Sequence, residues 1–326
     1  MNLKYEIEIR AEKFNEKLRS FLEGGSPVEL YDAARHLPFA GGKRLRPILA
    51  MLSCEAVSGN QENVLFYAVA LELIHNFTLV HDDIMDKSHL RRNIPTVHIA
   101  YDEPTAILAG DLLFAEAFAS LKEIENDYLF REINNILIQA IIEVCEGQKL
   151  DMDFEKRSII SEEEYITMIK KKTSALFRIA AEGGAIFGGV DEEKRDAFKR
   201  YGENLGLAFQ IHDDYLDMSS SEEILGKDIG NDIRNGKKTI IAVHALNHAA
   251  GIEKQRLENL FGKKDATDEE IKEVYSLFKN IGSIEYAKET AYKYSEEAIK
   301  SLNILEQSYP KEILEELARY AIKREK

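Results

Sequence analysis

Apolar residues recur every three or four positions along almost the whole chain, the signature of helices that bury one face. The pattern predicts helices over roughly 1–23, 27–39, 43–58, 61–86, 103–124, 127–153, 161–188, 192–219, 238–250, 267–280, 283–306 and 309–325. The breaks are short and fall at turn-forming residues: Gly24-Gly25-Ser26-Pro27, Gly41-Gly42, Gly59-Asn60, Gly188-Gly189 and Asn235-Gly236. Ser161 followed by Glu164 predicts a capping box, each side chain accepting from a backbone N–H of the first turn. No linker or short repeat divides the sequence, so a single all-α domain over 1–326 is expected. The polar stretch from Ser219 to Lys238 is the one long irregular candidate, either a solvated loop or an active-site lid.

Composition supports helix. Ala, Leu, Ile, Glu and Lys dominate long stretches, Trp is absent, and the 44% apolar content can fill one large core. A formal net charge of −15 argues against general nucleic-acid binding, which rests on a broad excess of Lys and Arg. A small anion is still admissible if a local basic cluster receives it and cations screen it from the acidic residues. Cys54 and Cys145 lie in apolar helical stretches with no thiol or His at a metal-ligand spacing, and are expected as buried free thiols in a reducing compartment. MNLKYEIEIRAEKF alternates charge with apolar residues and lacks a signal peptide's apolar core. No run approaches about 18 uninterrupted apolar residues, so a soluble, cytoplasmic protein is the expectation.

Chemistry concentrates in LVHDDIMD, where Asp82, Asp83 and Asp86 close an otherwise apolar helix. At about 100° per residue, Asp82 and Asp86 share a face one turn apart, whereas His81 and Asp83 point elsewhere. One such cluster is most often a solvated acidic helix end. FQIHDDYLD repeats it, with Asp213, Asp214 and Asp217 at the same spacing, Gln210 one turn before Asp213, and His212 and Asp214 off that face. Mg²⁺ takes oxygen ligands and commonly binds one or two carboxylates together with substrate phosphates. Two acidic stripes therefore suit Mg²⁺ ions clamped on a diphosphate, which cannot approach six carboxylates unless cations intervene.

Basic residues accompany the acids. GGKRLRP supplies Lys43, Arg44 and Arg46, and LRRNIP supplies Arg91 and Arg92; a solvated helix start explains either alone, but together they suggest a second anion site. His75, two turns before Asp82, falls on the Asp82/Asp86 face, although a lone His on an apolar helix is usually structural. IKKKTSALF offers Lys172 and Thr173, EEILGKDIGND offers Lys227 with Asp228 and Asp232, and NGKKTI offers Lys237 or Lys238.

These segments, in this order, resemble the motifs of the trans-isoprenyl diphosphate synthases, or polyprenyl synthetases, from about Gly41 to Thr239; AGDLL and LIHNFTLVHDDIMD belong to the same set. The resemblance implies a helical bundle around a central cavity, usually dimeric, whose two aspartate motifs on facing helices bind about three Mg²⁺ ions and the allylic diphosphate. It implies Asp82, Asp86 and Asp213 as direct metal ligands, with Asp83 and Asp217 as weaker candidates. Gly42, Lys43, Arg46, His75 and Arg92 are then expected to hold isopentenyl diphosphate, and Arg91, Lys172, Thr173, Gln210, Lys227 and Lys237 the allylic diphosphate. Asp82, Asp86, Asp213, Lys172 and Arg91 form the catalytic set implied by the resemblance, the cations stabilising a departing diphosphate.

Two departures bear on loop geometry: Asn93 stands where the family often has Gly, and GKDIGND replaces the commoner Gly-Lys-Pro opening. Phe77 and Thr78, with no insertion inside DDIMD, resemble archaeal-type geranylgeranyl diphosphate synthases. The helical wheel puts Phe77 about 140° from Asp82, so its place at a tunnel floor, where bulk stops chain growth, is implied by the resemblance alone. Geranylgeranyl diphosphate is the favoured product and farnesyl diphosphate the runner-up. The second aspartate motif and GGKRLRP argue against a terpene cyclase, and the full set of charged residues argues against a non-catalytic subunit that binds prenyl diphosphates. Small isoprenoid diphosphates and a second copy of the chain are the expected partners.

Overall fold

The computed structural model describes residues 2–57, 59–219 and 227–323, the side chains of Lys227, Asp228, Ile229 and Asn231 excepted. The fold is all-α. Its helices are α1 (Leu3–Phe21), α2 (Val28–Phe39), α3 (Leu45–Glu55), α4 (Leu65–Met85), α5 (Val97–Ala100), α6 (Glu103–Leu121), α7 (Asp127–Phe154), α8 (Glu162–Ile169), α9 (Ala175–Phe187), α10 (Glu192–Ser219), α11 (Lys227–Asn235), α12 (Ile240–His248), α13 (Gly251–Leu260), α14 (Asp268–Asn280), α15 (Ser283–Ser301) and α16 (Tyr309–Ala321). A two-stranded antiparallel hairpin, β1 (Leu90–Arg91) and β2 (Ile94–Pro95), follows α4 and pairs Leu90 with Pro95 and Arg91 with Ile94.

The chain divides into two compact units: residues 1–141, 179–199 and 304–314, and residues 142–178, 200–303 and 315–326. The first is organised on α4, against which α6, α3, α2 and α1 pack. From Val64 to Ile74 every residue of that segment except Phe66 is buried, so the helix is apolar all round because it is core all round. Tyr67 is fully buried and its hydroxyl donates to the Ile179 carbonyl at 2.6 Å, which satisfies the one polar group its ring brings inside. In the second unit, residues from α8, α10, α12, α14 and α15, among them Tyr165, Leu207, Ile211, Ile240, Phe278 and Ala287, form one hydrophobic cluster.

The expected capping box is present, with Ser161 Oγ accepting from Glu164 N and Glu164 Oε2 from Ser161 N. A second, Thr267 with Glu270, opens α14. Three expectations change. The polar stretch Ser219–Lys238 is not irregular throughout, because its described part contains α11, tied down by buried Ile233 and by Arg234, which donates to the Ala266 carbonyl at 3.0 Å. The expected helix over 161–188 is interrupted by a π-turn at Lys170–Ser174. Both cysteines are free, but only Cys54 is buried: Val144, Gly147 and Gln148 lie on the inward stripe of α7, and Cys145 falls just outside it and is exposed.

Gln61–Met85 and Glu103–Leu121 are long and apolar enough to cross a membrane by length and composition. In the first, 67% of the apolar window is buried inside the protein, which accounts for its hydropathy without a bilayer.

Candidate active site

The first aspartate motif is built by the end of α4. Asp86 caps the helix, and its N–H donates to the Asp82 carbonyl at 2.8 Å, so the two residues stack one turn apart as the spacing predicts. Carboxylates at a helix C-terminus face the negative end of the macrodipole and repel each other, an arrangement that favours a bound cation. The middle residue behaves differently. Asp83 is 1% exposed, and both of its oxygens engage Arg91, Nε at 2.9 and 3.0 Å and Nη2 at 2.7 Å. Arg91 comes from β1, and the hairpin turn that follows holds Arg92 at φ 53° and Asn93 at φ 62°. Asn tolerates this left-handed conformation, so the departure from Gly leaves the turn intact.

Facing that hairpin within the same unit is the Gly41–Arg46 segment, which enters α3. Gly42 adopts φ 129°, and a Cβ there would lie 2.9 Å from Arg92 Cζ, so glycine is needed both for the backbone and for the approach of the guanidinium. Arg92 Nη1 donates to the Gly41 carbonyl and, at 3.1 Å, to that of Leu37. Lys43 is exposed, Arg46 is half-buried, and Arg46 Nη1 lies 3.3 Å from His75 Nε2. Arg44 does not join this face; it is buried, and donates to Asn15, Glu72 and the Pro38 carbonyl. The sequence-predicted Gly42, Arg46, His75 and Arg92 thus gather in one unit with Arg91; their guanidiniums give the cluster a cationic character, and exposed Lys43 follows Gly42 in the chain.

Burial, followed by the Arg46, Arg92, Arg91 and Arg44 guanidiniums, holds the His75 imidazole well below its ordinary value of 6.5. It is therefore neutral at neutral pH and can accept from Arg46. The unfolded chain gains a proton near pH 6.5 that the folded chain does not, so stability is full above that pH and declines as pH falls below it. His75→Gln, whose amide oxygen can still accept from Arg46, is expected to remove part of this decline, which is at most about 1.4 kcal/mol per pH unit. Urea unfolding of both proteins between pH 7 and 5 measures it; identical acid limbs would rule the assignment out.

The second motif belongs to the other unit. Asp213 and Asp217 are half-buried near the C-terminal end of α10, again one turn apart. Asp214 is buried and accepts from Tyr165 Oη at 2.7 Å, Gln210 Nε2 at 3.1 Å and Ile240 N, at the start of α12, at 3.2 Å. Burial pushes its carboxyl up to about 6 in spite of Lys237 and these donors. Gln210 also accepts from Thr173 Oγ1 at 2.9 Å, and Lys172 pairs with Asp151 of α7. Lys172 and Thr173 occupy the π-turn, which two helices approach closely. A Cβ on Gly147 would collide with the Lys172 backbone, and one on Gly206 would lie 2.6 Å from Ser174 Cα. Of the two lysines offered by NGKKTI, Lys237 is the one among acids. Desolvation lowers its pKa, but Asp232, at 3.5 Å, with Asp214, Asp151 and Asp217, outweighs it and raises the group above its ordinary value. Lys238 turns away, donating to the Gly236 carbonyl over the Phe261 ring. The Lys227 side chain lies outside the described residues.

Each motif therefore spends its middle aspartate on internal structure and presents the outer two as oxygen-only donors. Among the described residues no three His, Cys, Asp or Glu side chains gather around one metal position. Carboxylate oxygens are the donors that a hard divalent cation such as Mg²⁺ takes one or two at a time, with water and phosphate oxygens completing its shell.

A model of the polyprenyl synthetase family matches residues 27–278, which span both aspartate motifs and the basic segments. The chain belongs to this family. It is 42% identical to the geranylgeranyl diphosphate synthase of Methanosarcina mazei over 326 residues, covering 100% of this chain and 99% of that one. The crystal structure of geranylgeranyl pyrophosphate synthetase from Pyrococcus horikoshii superposes with a TM-score of 0.92 at 43% identity, over 99% of each chain. A decaprenyl diphosphate synthase from Rhodobacter capsulatus superposes with a TM-score of 0.91 at 30% identity, over 100% of both.

In this polyprenyl synthetase the residues that the sequence pattern did not single out are the ones that hold the others. Asp151 pairs with Lys172, and Glu72 with Arg44. Tyr165 anchors Asp214, and Gly147 and Gly206 accommodate the π-turn. Asp151 carried a faint signal as an acid on the inward stripe of 127–153; Glu72 carried a stronger one, a charge in the middle of a long, largely apolar helix.

Proposed function

We propose that this chain is a Mg²⁺-dependent trans-prenyltransferase that condenses isopentenyl diphosphate with dimethylallyl, geranyl and farnesyl diphosphates, giving geranylgeranyl diphosphate as its main product. The observation that carries this reading is the division of labour inside each motif: the middle aspartate is locked to its own unit, and the outer pair stands one turn apart at a helix C-terminus among arginines or lysines. Asp82 and Asp86 in the first unit and Asp213 in the second are assigned as metal ligands, with Asp217 assisting. Bound Mg²⁺ supplies charge that stabilises the leaving diphosphate.

Arg91, Lys172 and Lys237 stabilise the same developing negative charge through their donors, and Thr173 and Gln210 orient the diphosphate. The allylic C–O bond breaks, its electron pair leaving with diphosphate. The double bond of isopentenyl diphosphate, held by Lys43, Arg46, Arg92 and neutral His75 beside Gly42, attacks the carbocation, and the released diphosphate accepts the proton that is lost. No Ser or Cys nucleophile takes part. Incubating the purified protein with Mg²⁺, labelled isopentenyl diphosphate and each allylic starter tests the proposal. A dominant twenty-carbon diphosphate from all three supports it, and no product from folded protein overturns it.

Nearly the same fold carries both a geranylgeranyl and a decaprenyl name among its relatives, so product length must lie in local bulk. Phe77 meets Phe114 edge to face at 5.3 Å between centroids, and Phe114 meets Phe118 at 5.2 Å, an aromatic row against the first motif's helix. We assign Phe77 to stopping chain growth. Phe77→Ala is expected to shift products by one or more five-carbon units beyond the wild-type length, at a stability loss of about 3 kcal/mol. Chromatography of the dephosphorylated products decides it, and unchanged length in folded protein would remove Phe77 from this role. We also propose a homodimer, on the ground that α6 and its approach expose Ile99, Ile107 and Leu108 together. A soluble, cytoplasmic enzyme fits the buried character of α4.

A further inference from the structure

Glu72 is 2% exposed in the middle of α4, where a charge is unfavourable unless paired. Its Oε1 accepts from Arg44 Nη1 at 2.5 Å and from Asn76 Nδ2 at 3.1 Å. Arg44 is held in turn by Asn15 Oδ1 at 2.9 Å and by the Pro38 carbonyl, so α1, α2 and α4 all grip one guanidinium. That grip has a local purpose. Arg44 caps α3 in the left-handed conformation, φ 50° and ψ 31°, which a non-glycine residue holds only when its surroundings over-determine it. Gly41 and Gly42 precede it at φ 97° and 129°, so the segment that delivers Lys43 and Arg46 is a run of unusual conformations with one deep anchor. His75, which meets Arg46, lies one turn beyond Glu72 on the same helix.

We propose that Glu72 is a positioning residue for the isopentenyl diphosphate end of the reaction, acting through Arg44 to fix the Gly41–Arg46 segment against His75 and Arg92. The inference rests on the proposed function above and adds a residue that touches no substrate. It also predicts a sign. A buried negative charge near a cationic bed opposes an incoming anion, so if Glu72 acted only as a charge, neutralising it would tighten binding. If Glu72 positions the segment, neutralising it loosens the bed and weakens binding.

The test is Glu72→Gln in the full chain, assayed with Mg²⁺, isopentenyl diphosphate and geranyl diphosphate. KM for isopentenyl diphosphate is expected to rise about tenfold or more while KM for geranyl diphosphate stays within about twofold. Because one unpaired buried charge can prevent folding, the paired replacement Arg44→Met with Glu72→Leu is measured alongside; an apolar pair can keep the fold while removing the anchor. It is expected to show the same selective rise, with circular dichroism matching the wild type. An unchanged or lowered KM for isopentenyl diphosphate in either folded variant overturns the inference, and so does a parallel rise in both KM values, which marks general loosening. Wild-type protein that consumes no isopentenyl diphosphate overturns the proposed function and this inference with it, whereas indifferent variants of an active enzyme overturn the inference alone.

Discussion

Asp82→Ala is expected to reduce turnover by about 10³-fold while costing far less in stability. The two halves of this expectation come from one geometry. Asp82 is half-buried at the C-terminal end of α4, stacked one turn from Asp86, with Asp83 beside it. A carboxylate at the negative end of a helix is poorly placed for folding, and alanine, the best helix former, offsets part of whatever contact the side chain gives up. Under the proposed function, the same carboxylate is assigned as a metal ligand that nothing on its face replaces except Asp86. The loss therefore falls on the charge that develops as the diphosphate departs. Higher Mg²⁺ should recover part of the rate, because one ligand remains. Steady-state rates across a Mg²⁺ titration, with urea unfolding of the same samples, measure both halves. Turnover near the wild-type level, or a large stability loss, would each remove Asp82 from the metal site. Asp213→Ala is expected to behave in the same way.

The positions of these carboxylates were legible in the sequence because a helix converts spacing into direction. Five-residue motifs at the ends of apolar runs place their first and last aspartates on one face and the middle one off it, and the burial of Asp83 and Asp214 follows that wheel. The long helices were equally legible, since burying one face of each requires a period near 3.6. Features set by distant neighbours were not. Nothing local to IKKKTSALF announces a π-turn; Gly147 and Gly206 on other helices make room for it. Helix α13 (Gly251–Leu260) has three large apolar residues, of which Ile252 is exposed and only Leu257 and Leu260 turn inward, too few inward positions to register as a period. Cys145 sits one residue from the inward stripe of α7, closer than a boundary uncertainty of two residues can resolve. The pairing of Arg44 with Glu72 spans 28 positions, and pattern alone does not choose among the surrounding charges.

The neighbouring substitution, Asp83→Ala, is expected to have the opposite signature: a stability loss of about 2–3 kcal/mol that appears before any question of metal arises. Asp83 is almost wholly buried and binds Arg91 through three short contacts, so removing it deletes charge-assisted hydrogen bonds and strands a guanidinium. The full penalty for breaking a buried pair is about 3–5 kcal/mol, but the Arg91 side chain is 31% exposed and can turn to water, which places the loss below that range. Arg91 also sits at the start of the hairpin whose turn carries Arg92 to Gly42, so loosening it disturbs both arginines. A double-mutant cycle separates these effects. Asp83→Ala and Arg91→Ala should each destabilise, and the double variant should lose about 1–2 kcal/mol less than their sum, because the second change removes the charge the first one stranded. Urea midpoints for the four proteins measure the coupling. Strict additivity would mean that the contact contributes no stability, leaving Asp83 available to bind metal with its neighbours; a coupling of the expected size fixes it as the carboxylate that organises the arginines, in keeping with the proposed assignment of the cation to Asp82 and Asp86.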